Sequence, residues 1–91
     1  MATFLMFGKY TVQAMKEMNP ERTQKVRDKV KQLGGEVKAM YAMLGKYDLL
    51  LVVSLPGIEA AMKASLSLAK MTGIGFTTAP ALTVEEFDKL A

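Results

Sequence analysis

Residues 39–53 read AMYAMLGKYDLLLVV. The stretch opens as a strand, breaks at Leu44-Gly45-Lys46, and resumes at Tyr47-Asp48 ahead of an aliphatic run from Leu49 to Val53. Alternating polarity marks a strand with one wet face, whereas an unbroken aliphatic run marks a strand covered on both faces. The break therefore predicts a tight hairpin whose first strand lies at an edge and whose second lies inside the sheet. Gly45 is the expected turn residue, because such a turn usually needs a positive φ that glycine adopts without strain.

Working outward, Thr3 to Tyr10 is a first strand, apolar on both faces: Phe4 and Met6 on one, Leu5 and Phe7 on the other. Thr11 can cap a short helical turn to about Met18. Asn19-Pro20-Glu21 restarts the helix with a capping side chain, a proline at the first position and an acid in the first turn. Val26, Val30 and Leu33 follow at helical spacing, and Gly34-Gly35 ends the segment. Glu36 to Met43 is the second strand. Simple alternation places Val37, Ala39, Tyr41 and Met43 on one face and Glu36, Lys38, Met40 and Ala42 on the other.

The third strand is expected from Tyr47 to Leu55, where Pro56-Gly57 breaks it. Its first two residues, Tyr47 and Asp48, should point to opposite faces. Ile58 to Met71 reads as a helix, Ile74 to Ala79 as a fourth strand limited by Pro80, and Thr83-Val84-Glu85-Glu86 as a capping box opening a short helix to about Leu90. The order is β-α-β-β-α-β plus a C-terminal helix. This is an α+β, ferredoxin-like arrangement over residues 1–91 as one domain: a four-stranded antiparallel sheet with two helices on one face. The first and third strands are central. The second alternates and carries charges, and the fourth ends in proline, as edge strands do.

Two helices cover one face of such a sheet, leaving Leu, Val and Phe on the other. A chain of 91 residues that is 51% hydrophobic buries only roughly 60–65% of its unfolded surface by itself. The surplus predicts self-association. RNA-binding sheets of this topology stack bases on aromatic residues of the central strands, and Asp48 to Leu55 holds none. Aliphatic side chains suit a second sheet instead, so a homodimer or higher oligomer through the sheet face is expected.

The chain has no cysteine and no histidine. Disulfides, thiolate chemistry, imidazole-based triads and the usual zinc and haem ligand sets are excluded. No metal or other cofactor is expected. The net charge of +3 is modest for a nucleic-acid binder. Arg22, Lys25, Arg27, Lys29, Lys31 and Lys16, interleaved with Glu21 and Asp28, read as a solvated helix face. The apolar start, Met1 to Gly8, is short for a signal peptide and lacks basic residues before it. No run approaches the ~20 apolar residues of a membrane span. The reading is a cytoplasmic protein that binds neither membrane nor nucleic acid.

Gly45-Lys46-Tyr47-Asp48 and the aliphatic run after it resemble the signature of the GYD domain family, as do Gly8-Lys9-Tyr10-Thr11, Leu33-Gly34-Gly35 and Thr83 to Phe87. The resemblance spans Phe4 to Phe87. It implies a ferredoxin-like protein of the dimeric α/β-barrel type and implies no reaction. One departure is Pro56-Gly57-Ile58-Glu59, which delays the carboxylate that commonly follows this proline.

Asp48 reads either as a turn carboxylate accepting backbone N–H groups or paired with Lys46 or Lys38, or as a base or polar anchor at the rim of a cavity. Tyr10, Tyr41 and Tyr47 read as rings with wetted hydroxyls or as ligand contacts. Lys38 reads as an edge-strand charge or a ligand clamp. Tyr10, Lys38, Tyr41, Tyr47 and Asp48 are thus the candidate ligand-binding residues, with catalytic residues unknown. Met40, Met43, Met62 and Met71 are read as adaptable core filler. The leading function is a homo-oligomeric binding or regulatory module, with a small apolar or aromatic ligand between sheet and helices. The alternative is a cofactor-independent monooxygenase or isomerase of the dimeric α/β-barrel type.

Overall fold

The computed structural model describes residues 1–91. Its elements are β1 (Ala2–Tyr10), α1 (Val12–Lys16), α2 (Pro20–Gln32), β2 (Glu36–Ala42), β3 (Leu49–Leu55), α3 (Ile58–Thr72), β4 (Ile74–Ala81) and α4 (Val84–Asp88). The strands form one antiparallel sheet in the order β2-β3-β1-β4. The ferredoxin-like α+β architecture read from the sequence is present, with β1 and β3 central.

The helix ends follow the local code. The Thr11 hydroxyl accepts from Ala14 N at 3.0 Å, and Asn19 Oδ1 accepts from Arg22 N at 2.8 Å. α3 ends where Thr72 Oγ1 donates to Leu68 O and accepts from Ile74 N, so a buried hydroxyl ties the helix end to the start of β4. Both of its roles are satisfied, which removes the cost of burying it.

The core lies between the helices and one face of the sheet. Leu49, Leu51, Val53 and Leu55 of β3 and Phe4 and Met6 of β1 point to it. Val26 and Val30 of α2 and Ala61, Ala64 and Leu68 of α3 meet them. Each fully buried leucine or valine contributes about 1.5–3 kcal/mol. Val26 and Val30 confirm the helical stripe, with Leu33 half-buried at its end.

Four expectations are corrected. First, simple alternation in β2 fails at Lys38. Val37 pairs with Val53 and Ala39 with Val52, so two steps on β2 match one on β3. This bulge moves Met40 and Ala42 to the helix side with Val37, and Ala39 and Tyr41 to the open side with Glu36. Second, β3 begins at Leu49, and the connection from β2 spans residues 43–48 rather than a tight turn. Third, β4 runs through Pro80 to Ala81, which an edge strand tolerates. Fourth, Met62 and Met71 are exposed on α3 and Met43 is half-buried off the core, so of the four methionines only Met40 packs against the core. No helix is long and apolar enough to cross a membrane.

Candidate functional site

The loop between β2 and β3 meets the end of β1, and the chain's signature residues gather there. Gly45 has φ +112° with open space around it. Backbone conformation alone therefore demands glycine at this position. Asp48 accepts the Tyr10 N–H through Oδ2 at 2.9 Å and lies 3.7 Å from Lys9 Nζ. Its own N–H donates to Gly8 O, and its carbonyl accepts from Met43 N. Asp48 thus binds the loop to the end of β1. Its ionic partner is Lys9, not Lys46 or Lys38.

The strand ladder starts only at Leu49 opposite Gly8, so Tyr47 is free of the alternation that would set it opposite Asp48. Tyr47 turns its ring onto Phe7 of the open face, with centroids 5.2 Å apart and an interplanar angle of 40°. Lys46 Nζ sits 5.7 Å from the centre of the same ring. Asp48 approaches Lys9, which follows Leu5 and Phe7 at every second residue of β1 and so shares their face. Both residues therefore act on the open-face side of the loop.

Tyr10 and Tyr41 lie elsewhere. They border a cleft of about 560 Å³ between the start of α2 and β2, with Met18, Arg22, Met40 and Leu49. The Arg22 guanidinium lies over the Tyr10 ring at 5.5 Å and also donates to Ala14 O. That is a cation held on a ring face and anchored by a carbonyl. Arg22 is consequently half-buried, unlike most of the solvated basic face it was read with; Lys29 is half-buried too. The cleft offers a flat molecule the Tyr10 ring, thioether surface and a guanidinium; Tyr41 borders it from the strand, with its side chain on the open side. Lys38 stands apart at the bulge, 3.4 Å from Glu36.

The open sheet face is the larger surface. Leu5, Phe7, Leu50, Val52 and Ala79 are half-exposed on it, with Tyr47 at one end. It has no helix over it.

Sequence reasoning missed Lys9 and Arg22 as members of this corner. Lys9 was visible in Gly8-Lys9-Tyr10-Thr11, and strand parity with Phe7 would have placed it. Arg22 was masked by the basic residues after it, since nothing local separates a stacked arginine from a solvated one.

The family model described as the GYD domain matches residues 4–91. No curated protein matches the chain. Among solved structures, the Mycobacterium tuberculosis leucine response regulatory protein (LrpA) aligns with a TM-score of 0.60 at 10% identity, over 90% of this chain and 51% of that one. An AsnC family transcriptional regulator from Agrobacterium tumefaciens aligns with a TM-score of 0.59 at 22% identity, over 89% of this chain and 50% of that one. This chain therefore spans about half the length of either, and at such identity the likeness is one of fold.

Proposed function

Because the chain belongs to the GYD domain family, we propose that it is a homo-oligomeric regulatory or ligand-binding module of the cytoplasm. In this reading two copies pair through the open sheet face, and a small apolar or aromatic ligand occupies the cleft at Tyr10, Arg22 and Tyr41. The observation that carries the pairing is the open face itself. Leu5, Phe7, Leu50 and Val52 sit side by side on central strands with nothing above them. Contiguous apolar patches of this kind are uncommon on soluble monomers and mark interaction surfaces. The regulatory character draws on the fold it shares with the two regulators, each matched over about half its length.

The ligand reading draws on the chemistry of the cleft. Stacked Tyr10 and Arg22 form a flat, partly cationic wall, and Met18 and Met40 adapt to irregular shapes. Lys38, Tyr47 and Asp48 lie outside this cleft, so their part is indirect: Asp48 holds the Tyr10 backbone, and Tyr47 borders the pairing face.

Light scattering tests the pairing. The unaltered protein at micromolar concentration should have at least twice the monomer mass, and Val52→Lys should return it to a folded monomer. A monomeric unaltered protein overturns the reading. Native mass spectrometry of protein purified from its own host tests the ligand. A bound small molecule lost in Arg22→Ala supports the cleft, and a molecule retained there places it elsewhere.

A further inference from the structure

A second pair of apolar surfaces is left over when the open sheet face is set aside. One is α4. Every residue from Leu82 to Ala91 is exposed, and Leu82, Val84, Phe87 and Leu90 are 56%, 70%, 66% and 72% accessible. Yet the local sequence is built to hold a helix here. The Thr83 hydroxyl accepts from Glu86 N at 3.1 Å, and the Glu86 carboxylate closes the capping box. Leu82 and Phe87 occupy the positions of a hydrophobic staple around that cap. A helix of 5 residues is far below the roughly 12–15 that stand alone in water. A capped helix this short, with an apolar stripe facing solvent, needs a surface to lie on.

The other is the outer side of α3. Ile58, Met62 and Leu66 recur every fourth residue and are 65%, 62% and 63% accessible. With Phe4 and Pro80 they line a groove of about 360 Å³ between α3 and the β4 edge. The polar groups in the groove, Ser65 and Thr78, bond each other at 2.6 Å, and Ser65 also donates to Ala61 O at 3.1 Å. Nothing polar in it waits for a partner, so its occupant is apolar.

We propose that the groove of one copy receives the α4 helix of a second copy, with Val84, Phe87 and Leu90 as the anchors. Spacing favours the fit. Val84 and Phe87, at i and i+3, face one side of α4, Leu90 follows in the turn beyond Asp88, and a helix laid in an apolar groove is a recurring mode of recognition. Charge favours it too. The polar side of α4 carries Glu85, Glu86 and Asp88, and the exposed flank of α3 next to Met62 and Leu66 carries Lys63 and Lys70 against a single acid, Glu59. The helix does not serve its own groove: Val84 and Phe87 instead border a cleft of about 650 Å³ with Met1, Ala2 and Thr3. A helix of 5 residues seats less area than the roughly 1,200 Å² at which stable interfaces begin, so the contact is weak at micromolar concentration, and a covalent trap rather than mass reports it.

The absence of native cysteine makes disulfide trapping clean. One full-length protein carries Met62→Cys and another carries Leu90→Cys; both positions are exposed, so neither substitution disturbs the core. After mixing and mild oxidation, the mixed disulfide should exceed its statistical share over the two like pairs. Adding Phe87→Asp to the Leu90→Cys protein should abolish that excess, and 1 M salt should slow its formation. A statistical mixture overturns the proposal. So does a chain carrying both cysteines that closes within itself and runs as a monomer. The trap reads the α4 contact directly, whereas mass after Val52→Lys reads the sheet face, so either idea can fail alone.

Discussion

Asp48 shows how a residue marked by the sequence takes a role that only the structure defines. A carboxylate before an aliphatic run is costly unless its oxygens are occupied. Here Oδ2 accepts the Tyr10 N–H at 2.9 Å, and the side chain is 22% exposed beside a Lys9 that is 60% exposed. The ion pair is therefore screened and worth at most about 0.5–1 kcal/mol. The hydrogen bond outweighs it, since a charged acceptor to a part-buried N–H contributes about 1.5–3 kcal/mol. Asp48→Asn keeps an acceptor oxygen and should cost less than about 1 kcal/mol, whereas Asp48→Ala should cost about 1.5–3 kcal/mol. Urea unfolding of the two variants measures the difference. Equal losses would assign the effect to the charge rather than to the bond.

At the scale of the element, β2 and β3 differ in how much of their pattern the sequence exposes. Leu49, Leu51, Val53 and Leu55 face the core, and Leu50, Val52 and Ser54 the open side, as strict alternation requires. The caps at Thr11, Asn19 and Thr83 were equally legible, because each rests on contacts within a few residues, and the two central strands were legible because each is apolar on both faces. The bulge at Lys38 was not legible. Val37, Ala39 and Met40 carry no turn residue, and the irregularity appears only as a mismatch with the register of β3. For the same reason the corner at Tyr10 was half-legible: its aromatic members stood out, but Arg22 and Lys9 join it through contacts distant in sequence. The bulge makes a sharp prediction. Deleting Lys38 turns β2 into a regular strand that still presents Val37, Met40 and Ala42 to the helices. That protein should fold, with a loss below about 1 kcal/mol, given that an exposed bulge residue packs on nothing. Deleting Val52 instead turns Val53 and Leu55 outward and should abolish the cooperative transition. Circular dichroism melts of both deletions decide it, and an unfolded Lys38 deletion would mean that the bulge itself is required.

At the scale of the whole molecule, neighbouring residues on β3 separate folding from assembly. Leu51 is fully buried against the helices, while Val52 lies half-exposed on the open face. A lysine at Leu51 loses about 2–5 kcal/mol of packing and adds a desolvated ammonium, enough to exhaust the stability of a chain this small. A lysine at Val52 reaches solvent across the open face and leaves the core as it is. If the open face is an interface, however, the same lysine buries its charge against the other copy and breaks the pairing. Mass action then supplies a second signature. A protein stabilised by pairing gains stability as its concentration rises, so the Tm of the unaltered protein should climb across a hundredfold range of concentration. Val52→Lys should melt cooperatively at a lower Tm that does not move with concentration, and Leu51→Lys should show no transition. Calorimetry over that range tests all three together. A Tm of the unaltered protein that stays fixed with concentration would show that the apolar face is stable when wet, and that its leucines and valines serve something other than a second copy of the chain.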